Sequence, residues 1–135
     1  MRGRAVTTVT FLNEDTVTAL SHAVVTGTHT RLNAIAGGAR DIGRYCHGLR
    51  PKGDPEGLKV ARRAIANLGD TTSAFRMTDI PEADGVTYDV VFIRYRSAVT
   101  VVQRVSNQTE EEWSLTLSTA KKAAVKLKAV YAKRR

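Results

Sequence analysis

The sequence predicts a single α+β domain over residues 1–135: a mostly antiparallel sheet of four to five strands with helices packed on it, closed by an amphipathic basic helix at the C-terminus. Three observations lead there. Two β-branched runs, Val86–Tyr95 and Val99–Val105, flank the short connection Arg96-Ser97-Ala98, which is the pattern of a hairpin. Leu117, Ala120, Ala124, Leu127 and Tyr131 recur at spacings of three and four, one stripe of a helix. The length of 135 residues, with 42% hydrophobic and 25% charged positions, suits one core that needs neither disulfide nor metal.

In chain order, Ala5–Leu12 is β-branched and ends at Asn13-Glu14-Asp15, so it reads as a strand followed by a helix start, with Asn13 or Asp15 as N-cap. From Thr16 to about Leu49 the apolar positions Val17, Leu20, Val24, Leu32, Ile35, Ile42, Tyr45 and Leu49 suggest helix. Thr26-Gly27-Thr28 and Gly37-Gly38 divide it into two helices or one broken one. Gly48 and Pro51 stop it. Pro51–Gly57 is a loop, with two Pro and two Gly in seven residues.

Leu58–Ala66 fits either a helix or a short strand. Asn67-Leu68-Gly69-Asp70 makes a turn, Thr71–Thr78 is extended, and Asp79–Gly85 is a second loop. Val90, Val91, Phe92 and Ile93 are apolar on both sides of the pleat, which marks the first hairpin strand as central and covered twice. Ser106–Glu112 is a polar, acidic loop, and Ser114 or Ser118 is the candidate cap of the terminal helix.

Charge is distributed unevenly. The chain carries 21 basic and 13 acidic residues, a formal +8, and seven of the bases lie in the last fifteen positions with no acid among them. Without that tail the balance is 14 to 13, so the body is almost neutral. Lys122, Lys126, Lys133, Arg134 and Arg135, with Arg94 and Arg96 at the hairpin turn, are the candidate contacts for an anionic partner: nucleic acid, lipid headgroups or an acidic protein. Should the hairpin tip lie near the end of the helix, the two form one patch. Only Tyr131 lies within the tail, which leaves little provision for stacking on bases.

Catalytic and metal chemistry find little support. His22 and His29 could share a helix face, but a metal site needs about three ligands. Cys46, His22 and Asp41 can be assembled on paper without the context of a known nucleophile. Glu110-Glu111-Glu112 reads as a solvated run. Gly37-Gly38-Ala39-Arg40 is the one glycine cluster that might cradle a phosphate, and it lacks the Lys-Ser/Thr of a P-loop. Cys46, beside Arg44 and His47, reads as a half-buried apolar residue near a helix end. No cofactor is expected, and no apolar stretch approaches the roughly 18–20 residues that span a bilayer.

The sequence also resembles a known module. Leu68-Gly69-Asp70-Thr71-Thr72-Ser73, then Ala74-Phe75-Arg76, then Phe92-Ile93-Arg94-Tyr95-Arg96-Ser97-Ala98-Val99 and the helix Thr119–Ala132 follow the order of motifs in the extracytoplasmic sensor domains and small lipoproteins of actinobacteria. That group includes the ectodomains of PknH-type receptor kinases. The order is similar from Ala5 to Ala132, and its specific part is Leu68 to Val105. Such domains commonly carry paired cysteines, whereas this chain has Cys46 alone. The resemblance implies a non-enzymatic module that presents a groove between sheet and helices to a small ligand or protein. It also implies an extracytoplasmic location if the chain is a mature fragment, and a cytoplasmic one otherwise. The alternative is a cytoplasmic nucleic-acid-binding protein of plasmid or phage type that works through the basic helix.

Overall fold

The computed structural model describes residues 6–13, 18–45, 59–78, 85–106 and 113–133. The elements are β1 (Val6–Asn13), β2 (Thr18–Thr26), α1 (His29–Tyr45), β3 (Lys59–Arg62), β4 (Thr71–Thr78), β5 (Thr87–Tyr95), β6 (Ala98–Ser106) and α2 (Trp113–Lys133). The strands form one antiparallel sheet in the order β1-β2-β6-β5-β4-β3. The architecture is α+β, as the sequence predicts. Six strands are present among the described residues because Thr18–Thr26, expected to be helical, is extended.

The reason is local. Leu20 and Val24 sit at helical spacing, but Ala23-Val24-Val25-Thr26 is rich in β-branched residues and finds partners on both edges. Leu20 opposes Phe11 on one side and Arg104 on the other. The helix begins only after Gly27, with Thr28 as its cap: the Thr28 carbonyl accepts from Leu32 N at 3.0 Å, and its Oγ1 accepts from Arg31 N at 3.4 Å. Asn13 ends β1 rather than capping a helix, and Asp15 lies outside the described residues. Lys59–Arg62 resolves the ambiguous segment as a strand, pairing with Phe75–Thr78.

Alternation along the strands divides the core in two. One face carries Ala74, Val91, Ile93 and Val102 beneath Ala120, Ala123 and Ala124 of α2. The other carries Val60, Phe75, Val90, Val99 and Val101 against Leu32 of α1, with Phe75 and Phe92 stacked at 6.2 Å. β5 is therefore central and covered on both sides. α2 starts at Trp113, ahead of both proposed caps, and Ser118 Oγ donates back to the Leu115 carbonyl at 3.3 Å instead of capping.

Candidate functional site

The β5–β6 hairpin turns at Arg96-Ser97, and Arg96 has φ 52°, a left-handed backbone at the position where a two-residue turn favours glycine. The Leu68-Gly69-Asp70 turn holds it there. Asp70 N donates to the Arg94 carbonyl at 2.7 Å, and the Asp70 carboxylate accepts from Arg96 N, also at 2.7 Å. Gly69 is needed for that approach: a Cβ on it would collide with the Arg94 carbonyl oxygen and stand 3.0 Å from Ile93 Cγ2. The turn is self-bonded. Thr72 Oγ1 accepts from Leu68 N at 2.9 Å and donates to Asn67 Oδ1 at 3.0 Å. The motif that carried the family resemblance is a clamp on the hairpin tip.

From that tip, side chains leave toward both faces. Arg94 goes to the α1 face, where its guanidinium donates to Asn33 Oδ1 and meets His29 Nδ1 at 2.7 Å. His29 and Asn33 are four apart in the first turns of α1 and so lie on one side of it. Arg94 Nε is buried without a hydrogen-bond partner among the described residues. Beside it, between α1, β4 and the segment after β3, lies a cleft of about 530 Å³ whose lining includes Asn33, Arg62, Asn67, Thr71, Ser73 and Arg94. A second hollow of about 430 Å³ runs on between Arg62–Ile65 and Thr72–Ala74. Two arginines, hydroxyls and amides line it, with the Arg94 guanidinium engaged by Asn33 and His29 and Asp70 on the rim engaged by the turn. Such a lining suits hydrogen-bonded recognition of a small polar ligand bearing negative charge.

On the opposite face the tip meets the end of α2. Tyr95 and Tyr131 pack edge to face at 5.5 Å, and the hydroxyls of Ser97 and Tyr131 are hydrogen-bonded. Arg96 lies 5.4 Å from the Tyr95 ring and 5.6 Å from the Tyr131 ring, and Lys128 is 5.7 Å from Tyr95. Of the residues expected to meet an anionic partner, Arg96 joins the end of the helix, while Arg94 is drawn to the other side of the sheet. Lys122, Lys126 and Lys133 are exposed along α2, and Arg134 and Arg135 lie outside the described residues.

The remaining candidates do not assemble. His22 is on β2 and His29 opens α1, so they share no helix face. Among the described residues no group of three His, Cys, Asp or Glu could hold a metal ion. Gly37-Gly38-Ala39-Arg40 lies inside α1, where backbone N–H groups are spent on the helix rather than offered to a phosphate. Cys46, His47 and Glu110-Glu111-Glu112 fall outside the described residues.

Sequence reasoning passed over a buried ionic network. Asp89, fully buried, accepts from Arg76 Nε at 2.7 Å and Nη2 at 3.0 Å, from Arg104 Nη2 at 3.0 Å and from Thr116 Oγ1 of α2 at 3.1 Å. Burial pushes its carboxyl upward, but hydrogen bonds from Arg76 and Arg104 and their charges outweigh that and hold it below the ordinary 3.8. The available signal was a lone acid inside a strand apolar on both faces. On the same face, burial first and the Lys126 charge second lower His22 from its ordinary 6.5.

The described residues thus form an α+β fold with a polar cleft beside α1. Among solved structures it is similar to the extracellular domain of PknH from Mycobacterium tuberculosis, with a TM-score of 0.61 and 14% identity. The match covers 92% of this chain and 66% of that one, so the chain spans just under two thirds of that domain. The likeness establishes a shared fold. No family model and no curated protein matches the sequence. No helix among the described residues is long and apolar enough to cross a membrane.

Proposed function

We propose that this chain is a non-enzymatic ligand-binding or sensing module, of the kind found among extracytoplasmic sensor domains and related small lipoproteins. Its ligand seat is the cleft between α1 and β4. The observation that carries the reading is the convergence of Arg62 and Arg94 with Asn33, Thr71 and Ser73 on one open hollow. Support comes also from the fold shared with the extracellular domain of PknH. Arg94 is held by His29 and Asn33, so the cation is positioned before any ligand arrives, which lowers the ordering cost of binding.

The test is a thermal-shift series with inorganic phosphate and with small mono- and dicarboxylates as probes. A ligand at about 100 times its Kd adds roughly 2.7 kcal/mol to stability. At least one anionic probe is expected to raise Tm, and Arg62→Ala, on an exposed residue, is expected to abolish that rise while leaving the unliganded Tm in place. A rise that Arg62→Ala and Arg94→Lys both leave untouched would move the ligand elsewhere.

A further inference from the structure

We infer that the outward face of α2 is a docking surface for an anionic lipid bilayer. This surface is separate from the cleft and does not depend on it. The sequence from Trp113 to Arg135 contains no Asp or Glu. Within α2, Lys121, Lys122, Lys126, Lys128 and Lys133 are all exposed, and none is paired with a carboxylate among the described residues.

Their spacing sorts them into two rows. Lys122, Lys126 and Lys133 follow one another at four and seven residues, and Lys121 and Lys128 at seven, so each set runs along one line of the helix. Between the rows lies a ridge of Val125, Ala129 and Ala132, with Val125 68% exposed. The stripe opposite, Ala120, Ala124 and Leu127, is committed to the sheet. The helix is thus fixed with a small apolar ridge facing outward and ammonium groups on either side. Long lysine stems can lie along such a ridge while their charged ends reach headgroup phosphates.

Two features favour a bilayer over nucleic acid as the polyanion. The described rings on or beside α2 are already used: Tyr95 and Tyr131 pack on each other beneath Arg96, with Lys128 against Tyr95, and Arg63 lies 5.3 Å from the Trp113 ring. The exposed ridge of Val125, Ala129 and Ala132 also offers nothing to a phosphodiester backbone, whereas it gains by leaving water at a lipid interface. Each lysine near an anionic membrane surface contributes about a fivefold gain in partitioning at moderate ionic strength.

The experiment is co-sedimentation of the full chain with phosphatidylcholine vesicles containing phosphatidylglycerol, with vesicles of phosphatidylcholine alone, and, by anisotropy, with a labelled DNA duplex and an oligo-dT strand. Retention on the anionic vesicles only, falling with added salt, is the expected result. Lys126→Glu with Lys133→Glu is expected to reduce it by roughly 25-fold or more. Val125→Ser is expected to cost about fourfold on vesicles and nothing on DNA. Lys126→Gln with Lys133→Gln serves as the milder pair, and circular dichroism checks that each variant is folded. Equal retention on neutral vesicles, insensitivity to both lysine pairs, or tighter binding to either DNA than to anionic vesicles would each overturn the inference, the last by assigning the face to nucleic acid.

Discussion

The two faces of the sheet are built from different materials. Under α2 the helix contributes small side chains, Ala120, Ala123 and Ala124, which close the layer over Ala74, Val91, Ile93 and Val102 of the sheet. Asp89, Arg76, Arg104 and Thr116 form a bonded network there, while His22 Nε2 and Thr100 Oγ1 on the same face are buried without a hydrogen-bond partner among the described residues. Under α1 the helix contributes Leu32, with half-buried Ile35, against Val60, Phe75, Val90, Val99 and Val101, and beyond them the layer opens into the cleft. A closed face can fix geometry but cannot admit a ligand; an open one can do the reverse. α2 is therefore left with its outer side for binding, and α1 with the gap beside it.

The largest effect is expected at the closed face. Asp89→Ala leaves Arg76 and Arg104 without their buried acceptor, and a loss of about 3–5 kcal/mol in denaturant unfolding is expected. A loss below about 1 kcal/mol would show that water reaches the network and that the face is not closed. Next comes the joint between the faces: Gly69→Ala is expected to cost about 1–3 kcal/mol, because the added methyl meets the Arg94 backbone rather than a movable side chain.

Titration sharpens the contrast further. A His22 whose folded value lies below 6.5 resists a proton that the unfolded chain accepts. Its contribution is therefore complete above 6.5 and is lost as pH falls through the lowered folded value, so unfolding midpoints should drop in mildly acidic buffer. Lys126→Glu removes one of the two causes and should raise the His22 value by NMR titration. Asp89, also lowered, acts in a more acidic window: its contribution holds above 3.8 and disappears below. The smallest effect belongs to the open face, where Arg62→Ala should change stability by no more than about 0.5 kcal/mol while removing the response to anionic probes.

Much of this architecture was legible from residue order. The β5–β6 hairpin, the extended Thr71–Thr78 and the terminal helix follow from period-two and period-3.6 patterns that no other element contradicts. β2 was not legible as a strand, because Leu20 and Val24 imitate a helical stripe and their true partners, Phe11 and Thr100 among others, are remote in sequence or offer no local cue. The candidate site was legible in part. The tail and the hairpin turn were visible as basic, but strand alternation sends Arg94 to the α1 face, while Arg96, inside the turn, escapes that alternation and lies over Tyr95 and Tyr131. The cleft itself depends on where the segment after β3 leaves the sheet edge, which no local pattern encodes.

The clamped hairpin tip has a mechanical consequence. The peptide whose carbonyl is gripped by Asp70 carries the Arg94 side chain into the cleft lining, and two residues later the same backbone presents Arg96 and Ser97 to the end of α2. Layers with unlike chemistry are therefore joined at one stiff knuckle. A change in the Gly69-Asp70 clamp bears on the backbone of Arg94 and of Arg96 alike.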